Sequence, residues 1–160
     1  MKDGVVQQVD TPQNLYNSPA NLFTAGFIGS PQMNFLDAKV LPDGSLDLGA
    51  AGKVALPAAK AKKLVDGGYA GKTVVMGVRP EHLNDDPEIV AKSSSTLDAK
   101  IEVYELLGAE VFLYFTINGS NMTARVNPKT EARTGSEVKF AIDVDKVHVF
   151  DKETELTITN

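Results

Sequence analysis

The segment AGFIGSPQMNF, residues 25–35, decides how the chain is organised, because the residue pattern changes from helical to extended within it. Upstream, apolar residues recur at helical spacing between Ala20 and Ile28, and Gly29 predicts the end of that helix. Ser30-Pro31 predicts an extended exit, since a residue before proline avoids the helical conformation. The segment therefore predicts a boundary between a helical connector and a β domain.

The glycines of this segment do not predict a phosphate-binding loop. GFIGSP, residues 26–31, lacks the GxxxxGK[ST] arrangement, and no lysine follows it that would reach a phosphate. It also lacks GxGxxG, and the residues before it are helical where a dinucleotide-binding loop follows a strand. We therefore interpret the segment as a structural joint.

The first part of the chain predicts the end of another domain. KDG at 2–4 predicts a hairpin-type turn, and VVQQV at 5–9 predicts a short strand whose partner would precede the turn. We therefore expect the chain to be a fragment that lacks this partner. Thr11 and Pro12 predict the N-cap and first position of a short helix.

The remaining sequence predicts a mainly β fold. LDAKV at 36–40 recurs as LDAKI at 97–101, which suggests two related small barrels packed together. Many short strands at this spacing favour a barrel or sandwich. Strands are expected at 36–40, 46–48, 53–56, 73–78, 99–106, 110–117, 121–126, 136–144, 146–150 and 155–159, with a helix at 57–66 and loops at 85–87 and 92–95.

The composition excludes several classes of function. The net charge of −5 over 160 residues argues against nucleic-acid binding, which needs clustered lysine and arginine. The absence of cysteine removes disulfides, thiolate nucleophiles and cysteine metal sites. The two histidines, His82 and His148, are far apart in sequence and have no ligand spacing, so no metal is expected. No apolar run approaches the roughly 20 residues that span a bilayer, so no direct membrane insertion is expected.

GVRPEHL, residues 77–83, is the best candidate for side-chain chemistry. Arg79, Glu81 and His82 could serve as an acid/base group or a carboxylate clamp, but no partner for such work is identifiable elsewhere in the sequence. We therefore interpret Pro80 as the end of a strand, with Arg79 and Glu81 paired to each other or to nearby backbone.

VFLYFTI, residues 111–117, is apolar on both faces of a predicted strand. A half-exposed strand alternates apolar and polar residues, so this one is expected to be covered on both sides. Two interpretations remain open: a strand central to two packed barrels, or an oligomer contact.

Three blocks of sequence carry a resemblance to a known family. They are QVDTPQNLYNSPANLFTAGFIGSPQMNFL, MGVRPEHL and IEVYELLGAEV. Together they resemble the C-terminal portion of the ATP-binding subunits of carbohydrate-import ABC transporters, of the maltose and multiple-sugar types. The match covers nearly the whole chain, and its blocks follow the family's order and spacing.

The resemblance implies two parts. Residues 1–29 would be the C-terminal remnant of the nucleotide-binding domain with a helical connector. Residues 30–160 would be a regulatory domain of two intertwined β-barrels of the oligonucleotide-binding (OB) type, also called TOBE. The family's Walker A, Walker B, signature and switch motifs would lie upstream, so the fragment is expected to hold no cofactor and not to be an enzyme. ATP and Mg would belong to the full-length parent.

The resemblance also implies a function and partners. The domain would hold two ATPase subunits together as a homodimer at the cytoplasmic face of the membrane. Further partners would be its own ATPase domain, the permease subunits and, in some bacteria, a phosphotransferase IIA regulator. The alternative is a small oxyanion-binding barrel module. The candidate contact residues for the dimer or the regulator are Ser30, Pro31, Met33, Asn34, Phe35, Arg79, Glu81, His82, Glu105 and Gly108.

Overall fold

The computed structural model describes residues 1–160 and begins with a two-helix connector. Helix α1 (Pro12–Asn17) starts at Thr11, whose hydroxyl accepts a hydrogen bond of 3.2 Å from the Asn14 N–H, as an N-cap does. Helix α2 (Leu22–Phe27) follows its N-cap Asn21 and begins two residues later than Ala20, where the sequence pattern begins. The predicted strand at 5–9 is wrong, because only an isolated bridge joins Lys2 to Val5 across the turn.

A six-stranded antiparallel sheet combines four strands from the first half of the chain with its last two strands. Its strands lie in the order β12-β11-β4-β1-β2-β3, so the last strands of the chain complete the sheet that the first ones begin. Helix α3 (Ala58–Asp66) follows β3 and buries Leu64. The strands are β1 (Asn34–Val40), β2 (Leu46–Asp47), β3 (Lys53–Val54), β4 (Thr73–Val78), β11 (His148–Phe150) and β12 (Thr157–Thr159).

Two three-stranded sheets form the second half. The first has the order β5-β10-β6 and the second the order β7-β8-β9. The strands are β5 (Leu83–Asn84), β6 (Thr96–Lys100), β7 (Val103–Leu107), β8 (Glu110–Ile117), β9 (Ser120–Val126) and β10 (Glu137–Ile142). The mainly β prediction is confirmed, although the strands form three open sheets and no closed barrel.

In this half one predicted strand is wrong and one helix was not predicted. The strand expected at 99–106 is broken, because Ile101 bonds to Ser136 of one sheet while the next N–H, of Glu102, bonds to Tyr114 of the other. Helix α4 (Pro87–Lys92) lies between the two predicted loops, and the Asp86 carboxylate caps it.

The two copies of the LDAK sequence have the same local structure. In β1 and β6 alike, the leucine and alanine are buried and the aspartate is exposed. Each aspartate pairs with a lysine of a neighbouring strand or loop: Asp37 with Lys152 at 2.5 Å and Asp98 with Lys139 at 2.8 Å. The repeat is therefore a repeated strand with one buried face.

One core of 28 buried residues extends from Leu36 to Val149 and joins all three sheets. A smaller cluster around Ala25, Met33 and Phe150 packs the connector onto the sheet. The longest helix has nine residues, and none combines the length and apolar character needed to cross a membrane.

Candidate functional site: the connector joint and the exposed contact surfaces

Arg79, immediately after β4, fastens both connector helices to the β domain. Its side chain is only 1% exposed. Nη1 donates to the Ile28 carbonyl and Nη2 to the Tyr16 carbonyl, each at 2.7 Å. The guanidinium carbon also lies 3.8 Å from the centre of the Tyr16 ring, a cation–π contact. One side chain thus reaches the ends of α1 and α2 at once.

The position of these two carbonyls explains why a cation lies there. Tyr16 is in the last turn of α1, and Ile28 is the C-cap of α2. The final carbonyls of a helix have no partner within the helix and carry the negative end of its dipole, so a guanidinium satisfies them. Burial lowers the pKa of Arg79 to about 10, which leaves it protonated at neutral pH. Its Nε is buried without a hydrogen-bond partner.

Gly29 is required by the same joint. It follows the C-cap of α2 with φ of +118°, a conformation that strains any residue with a side chain. A Cβ at this position would lie 2.9 Å from Arg79 Nη1. The C-cap of α2 is Ile28, one residue before the predicted Gly29. The lack of a side chain at Gly29 leaves room for the Arg79 guanidinium.

Glu81 contacts the joint, and His82 follows it in the chain. Glu81 accepts a hydrogen bond from the Tyr16 hydroxyl and does not pair with Arg79, whereas Arg79 bonds to backbone as one of the two predicted alternatives states. His82 is half-buried, and its Nδ1 is buried without a partner. Burial lowers the pKa of His82, against the opposing effect of Glu81 and Asp143.

His148 lies on β11 beside β4 and is almost fully buried. Its Nδ1 is 2.9 Å from the Asn160 side-chain oxygen. Burial lowers its pKa to about 4, so the ring is neutral at physiological pH. No group of three or more histidine, aspartate or glutamate side chains is arranged to hold a metal ion.

Residues 30–35 divide into exposed and buried members. Ser30 is exposed and Pro31 half-exposed, whereas Met33 and Asn34 are buried and Phe35 is half-buried. The Asn34 amide donates to the Thr123 carbonyl and accepts from the Thr123 N–H, both at 2.8 Å, and so ties β1 to β9. Three of the predicted contact residues, Met33, Asn34 and Arg79, make their contacts within the chain. For the exposed residues among the predicted contacts, binding to a partner protein stays a prediction.

The hairpin of β7 and β8 is the most exposed of the predicted contact regions. Glu105 and Gly108 are both exposed, and Gly108 has φ of +62° in the turn that joins the strands. On β8 one face is buried, but Phe112 and Tyr114 on the other face are only half-buried and Thr116 is exposed. The single chain therefore covers 111–117 fully on one face only, and coverage of the other face by a second molecule stays a prediction.

A surface cleft of about 790 Å³ was not anticipated from the sequence. It lies between α4 and the segment that follows β9, and Ile89, Val90 and Val138 form part of its apolar lining. Charged residues of both signs also line it. The Asp86-Pro87 pair is the signal that could have revealed α4, because it is a helix-start pattern.

Comparison with known families defines the class of the protein. Residues 29–83 match the MalK OB fold domain family, and residues 93–149 match the TOBE domain family. The chain is therefore a MalK-type OB domain followed by a TOBE domain. The relatives place this pair within larger proteins.

The chain is 43% identical to the oligosaccharides import ATP-binding protein MsmX of Bacillus subtilis, over 99% of this chain and 43% of that protein. It is 39% identical to the trehalose/maltose import ATP-binding protein MalK of Thermococcus litoralis, over 96% of this chain and 42% of that protein. It is 40% identical to the multiple sugar-binding transport ATP-binding protein MsmK of Streptococcus mutans, over 97% of this chain and 41% of that protein. The chain thus spans less than half the length of these relatives. It belongs to the C-terminal regulatory domains of the sugar-import ABC ATP-binding subunit family.

A solved structure shares the fold at low identity. The cytoplasmic molybdate-binding protein ModG, with molybdate bound, superposes with a TM-score of 0.51 at 17% identity, over 72% of this chain and 94% of that one. At this identity the likeness shows the fold alone.

Proposed function

We propose that this chain is a non-catalytic regulatory domain that transmits movement between an ATPase domain and its partners in a sugar importer. The observation that carries the proposal is the Arg79 joint, because it fixes the ends of both connector helices to β4. A connector held at both helix ends moves with the β domain as one body. A shift of the ATPase domain would therefore reposition the regulatory surface.

The connector surface suits an upstream domain. Several large apolar side chains stand exposed there, among them Val9 at 86% and Phe27 at 69%. Large apolar side chains are rarely left this exposed in number unless another surface covers them. We propose that the ATPase domain of the parent subunit packs on this side, with ATP and Mg held in that domain.

The remaining partners are a second copy of the chain, the permease subunits and a phosphotransferase IIA regulator, at the inner face of the membrane. Regulation in this arrangement is a shift between open and closed ATPase pairs. A partner can produce that shift only if it binds the two states with unequal affinity. The exposed residues Ser30, Glu105 and Gly108 are the proposed contact points.

The test is a chimera in which this chain replaces the corresponding C-terminal region of MsmX. We expect the chimera to support oligosaccharide uptake, and its Arg79→Met variant to transport less while its ATPase domain still binds nucleotide. The reference is the uptake supported by MsmX without its C-terminal region. A chimera that folds and binds ATP but supports no more uptake than this reference would overturn the proposal.

Calorimetry on the 160-residue chain provides two further checks. Titration with Mg-ATP is expected to give no binding heat, and measurable binding would contradict the non-catalytic role. Titration with molybdate tests the alternative that the chain binds an oxyanion. Such a site needs clustered hydrogen-bond donors. The exposed β7–β8 hairpin instead presents the carboxylates of Glu105 and Glu110. Saturable molybdate binding would favour that alternative.

A further inference from the structure

Strand β7 is an unpaired edge of its sheet. It pairs with β8 on one side, and the order β7-β8-β9 leaves no strand on the other. An open edge presents free backbone N–H and C=O groups and is a template for another strand. Proteins commonly protect such edges with lysine, proline or a bulge, yet β7 has the sequence VYELL.

The hairpin turn determines which backbone groups are free. Leu107 lies opposite Glu110 across the two-residue turn, and such closing residues form a hydrogen-bonded pair. In an antiparallel ladder, hydrogen-bonded and non-hydrogen-bonded pairs alternate. The N–H and C=O groups of Tyr104 and Leu106 therefore point away from β8, toward the open side.

The side chains of this edge are unusually apolar for an exposed strand. Leu106 is 57% exposed, and Val103 and Leu107 are exposed as well. The only charged residue of the strand, Glu105, accepts a hydrogen bond of 2.8 Å from the Tyr114 hydroxyl on β8. The tyrosine therefore holds this carboxylate over the face of the sheet.

We propose that β7 pairs antiparallel with β7 of a second copy, about a two-fold axis at Leu106, so that two three-stranded sheets join into one. The inference rests on the self-association in the proposed function and specifies its geometry. Two identical edge strands can pair with each other in the antiparallel direction. A two-fold axis places the outward N–H groups of one copy opposite the outward C=O groups of the other, so no different sequence is needed.

The charges select the register. An axis at Glu105 would set two glutamates directly opposite each other, which destabilises a strand pair. An axis at Leu106 sets the two exposed leucines opposite each other and places Leu107 opposite Glu105 of the other copy. This register buries the exposed apolar side chains and separates the carboxylates.

The size of the contact sets the expected strength. Stable interfaces bury about 800 Å² per partner, more than a five-residue strand offers alone. The isolated chain should therefore associate weakly, with a dissociation constant of about 10 μM to 1 mM, and the parent's other contacts would strengthen the pair. Glu102, Glu105 and Glu110 disfavour nucleic acid or an anionic membrane at the same surface.

Sedimentation equilibrium of the 160-residue chain up to about 1 mM tests the proposal with charge variants. Leu106→Lys is expected to raise the dimer dissociation constant about tenfold or more, because like charges then face each other across the axis. Leu106→Glu is expected to do the same, and mixing the two variants should restore association as a heterodimer. Leu156→Lys is the matched control, since Leu156 is 56% exposed and lies near the connector, and it should leave the constant unchanged.

A cross-link provides an independent readout. The chain has no cysteine, so Leu106→Cys introduces a single thiol. A short bismaleimide should link two Leu106→Cys chains, and should not link Asn121→Cys chains, whose thiol lies on β9 at the far edge of the sheet.

The outcomes separate the two proposals. A dimer that forms equally well with Leu106→Lys, or that cross-links only through Asn121→Cys, overturns the β7 pairing and leaves self-association intact. A chain that stays monomeric at about 1 mM overturns both the pairing and the self-association of the isolated domain.

Discussion

Replacing Arg79 by methionine tests the connector joint, because methionine has a similar length and lacks the charge and the donors. The replacement removes a burial cost: the lowered pKa, from 12.5 to about 10, corresponds to roughly 3 kcal/mol. It leaves the Tyr16 and Ile28 carbonyls without their partner, at about 1–3 kcal/mol each. It also removes the contact with the Tyr16 ring, of about 2 kcal/mol in a desolvated site. The losses exceed the gain, so the docked connector should be destabilised by about 2–3 kcal/mol.

Hydrogen exchange of α1 amides measures this change directly. The Leu15 and Ser18 amides bond to the Thr11 and Asn14 carbonyls, and a six-residue helix is not stable without its tertiary contacts. We expect their protection to fall about 30- to 150-fold in Arg79→Met, since 1.4 kcal/mol is a factor of ten. Amides of β8 serve as an internal reference for the intact core.

Arg125→Met is the control for loss of an arginine, because Arg125 on β9 pairs with Glu110 on β8 at 3.5 Å, away from the connector. It should leave α1 protection unchanged. Equal protection of α1 in Arg79→Met and the unmodified chain, with both folded, would refute the reasoning that the joint holds the connector.

Three further variants probe other parts of the structure. Gly29→Ala should cost about 1–3 kcal/mol in urea unfolding, because φ is +118° and the new Cβ meets Arg79 Nη1; unchanged stability would contradict that crowding. His148 has a folded pKa of about 4 against about 6.5 unfolded, so its stabilisation is full above pH 6.5 and is lost as the pH falls toward 4. Between pH 7.5 and pH 5 the unmodified chain should therefore lose about 2 kcal/mol more than His148→Gln, and parallel pH profiles would disprove this. Asn34→Ala should lower the free energy of unfolding by about 2–4 kcal/mol, since it leaves both backbone groups of Thr123 unpaired; a loss below 0.5 kcal/mol, on the order of a surface change, would contradict the link between β1 and β9.

Local signals predicted the elements that depend on neighbouring residues. The Thr11-Pro12 pair predicted α1, and the apolar run at 73–78 predicted β4 with its observed bounds. Asp86-Pro87 contained the same kind of signal for α4, but the sequence interpretation assigned 85–87 to a loop and gave no helix to the residues that follow. The strand predicted at 5–9 does not form, because strand-like residues make no strand without a neighbouring strand to pair with.

The candidate site was predicted only in part. GVRPEHL was singled out as a candidate for side-chain chemistry, and one alternative had Arg79 bonding to backbone, as it does. Sequence spacing could not show that this backbone belongs to Tyr16 and Ile28, which are 63 and 51 residues away. Nor could it show that Met33 and Asn34 are buried, because their coverage comes from β4, β9 and β11, which are distant in sequence.

The sequence by itself determined the family and the mainly β class, because capping residues, apolar periodicity and family motifs are all written in short stretches. The tertiary structure decided what those residues do. It brought one guanidinium to the ends of two helices, buried half of the segment that follows Gly29 and left the β7 edge without a neighbour. Each of these outcomes depends on contacts between residues far apart in the chain, and a linear pattern carries no record of which distant backbone a side chain will meet.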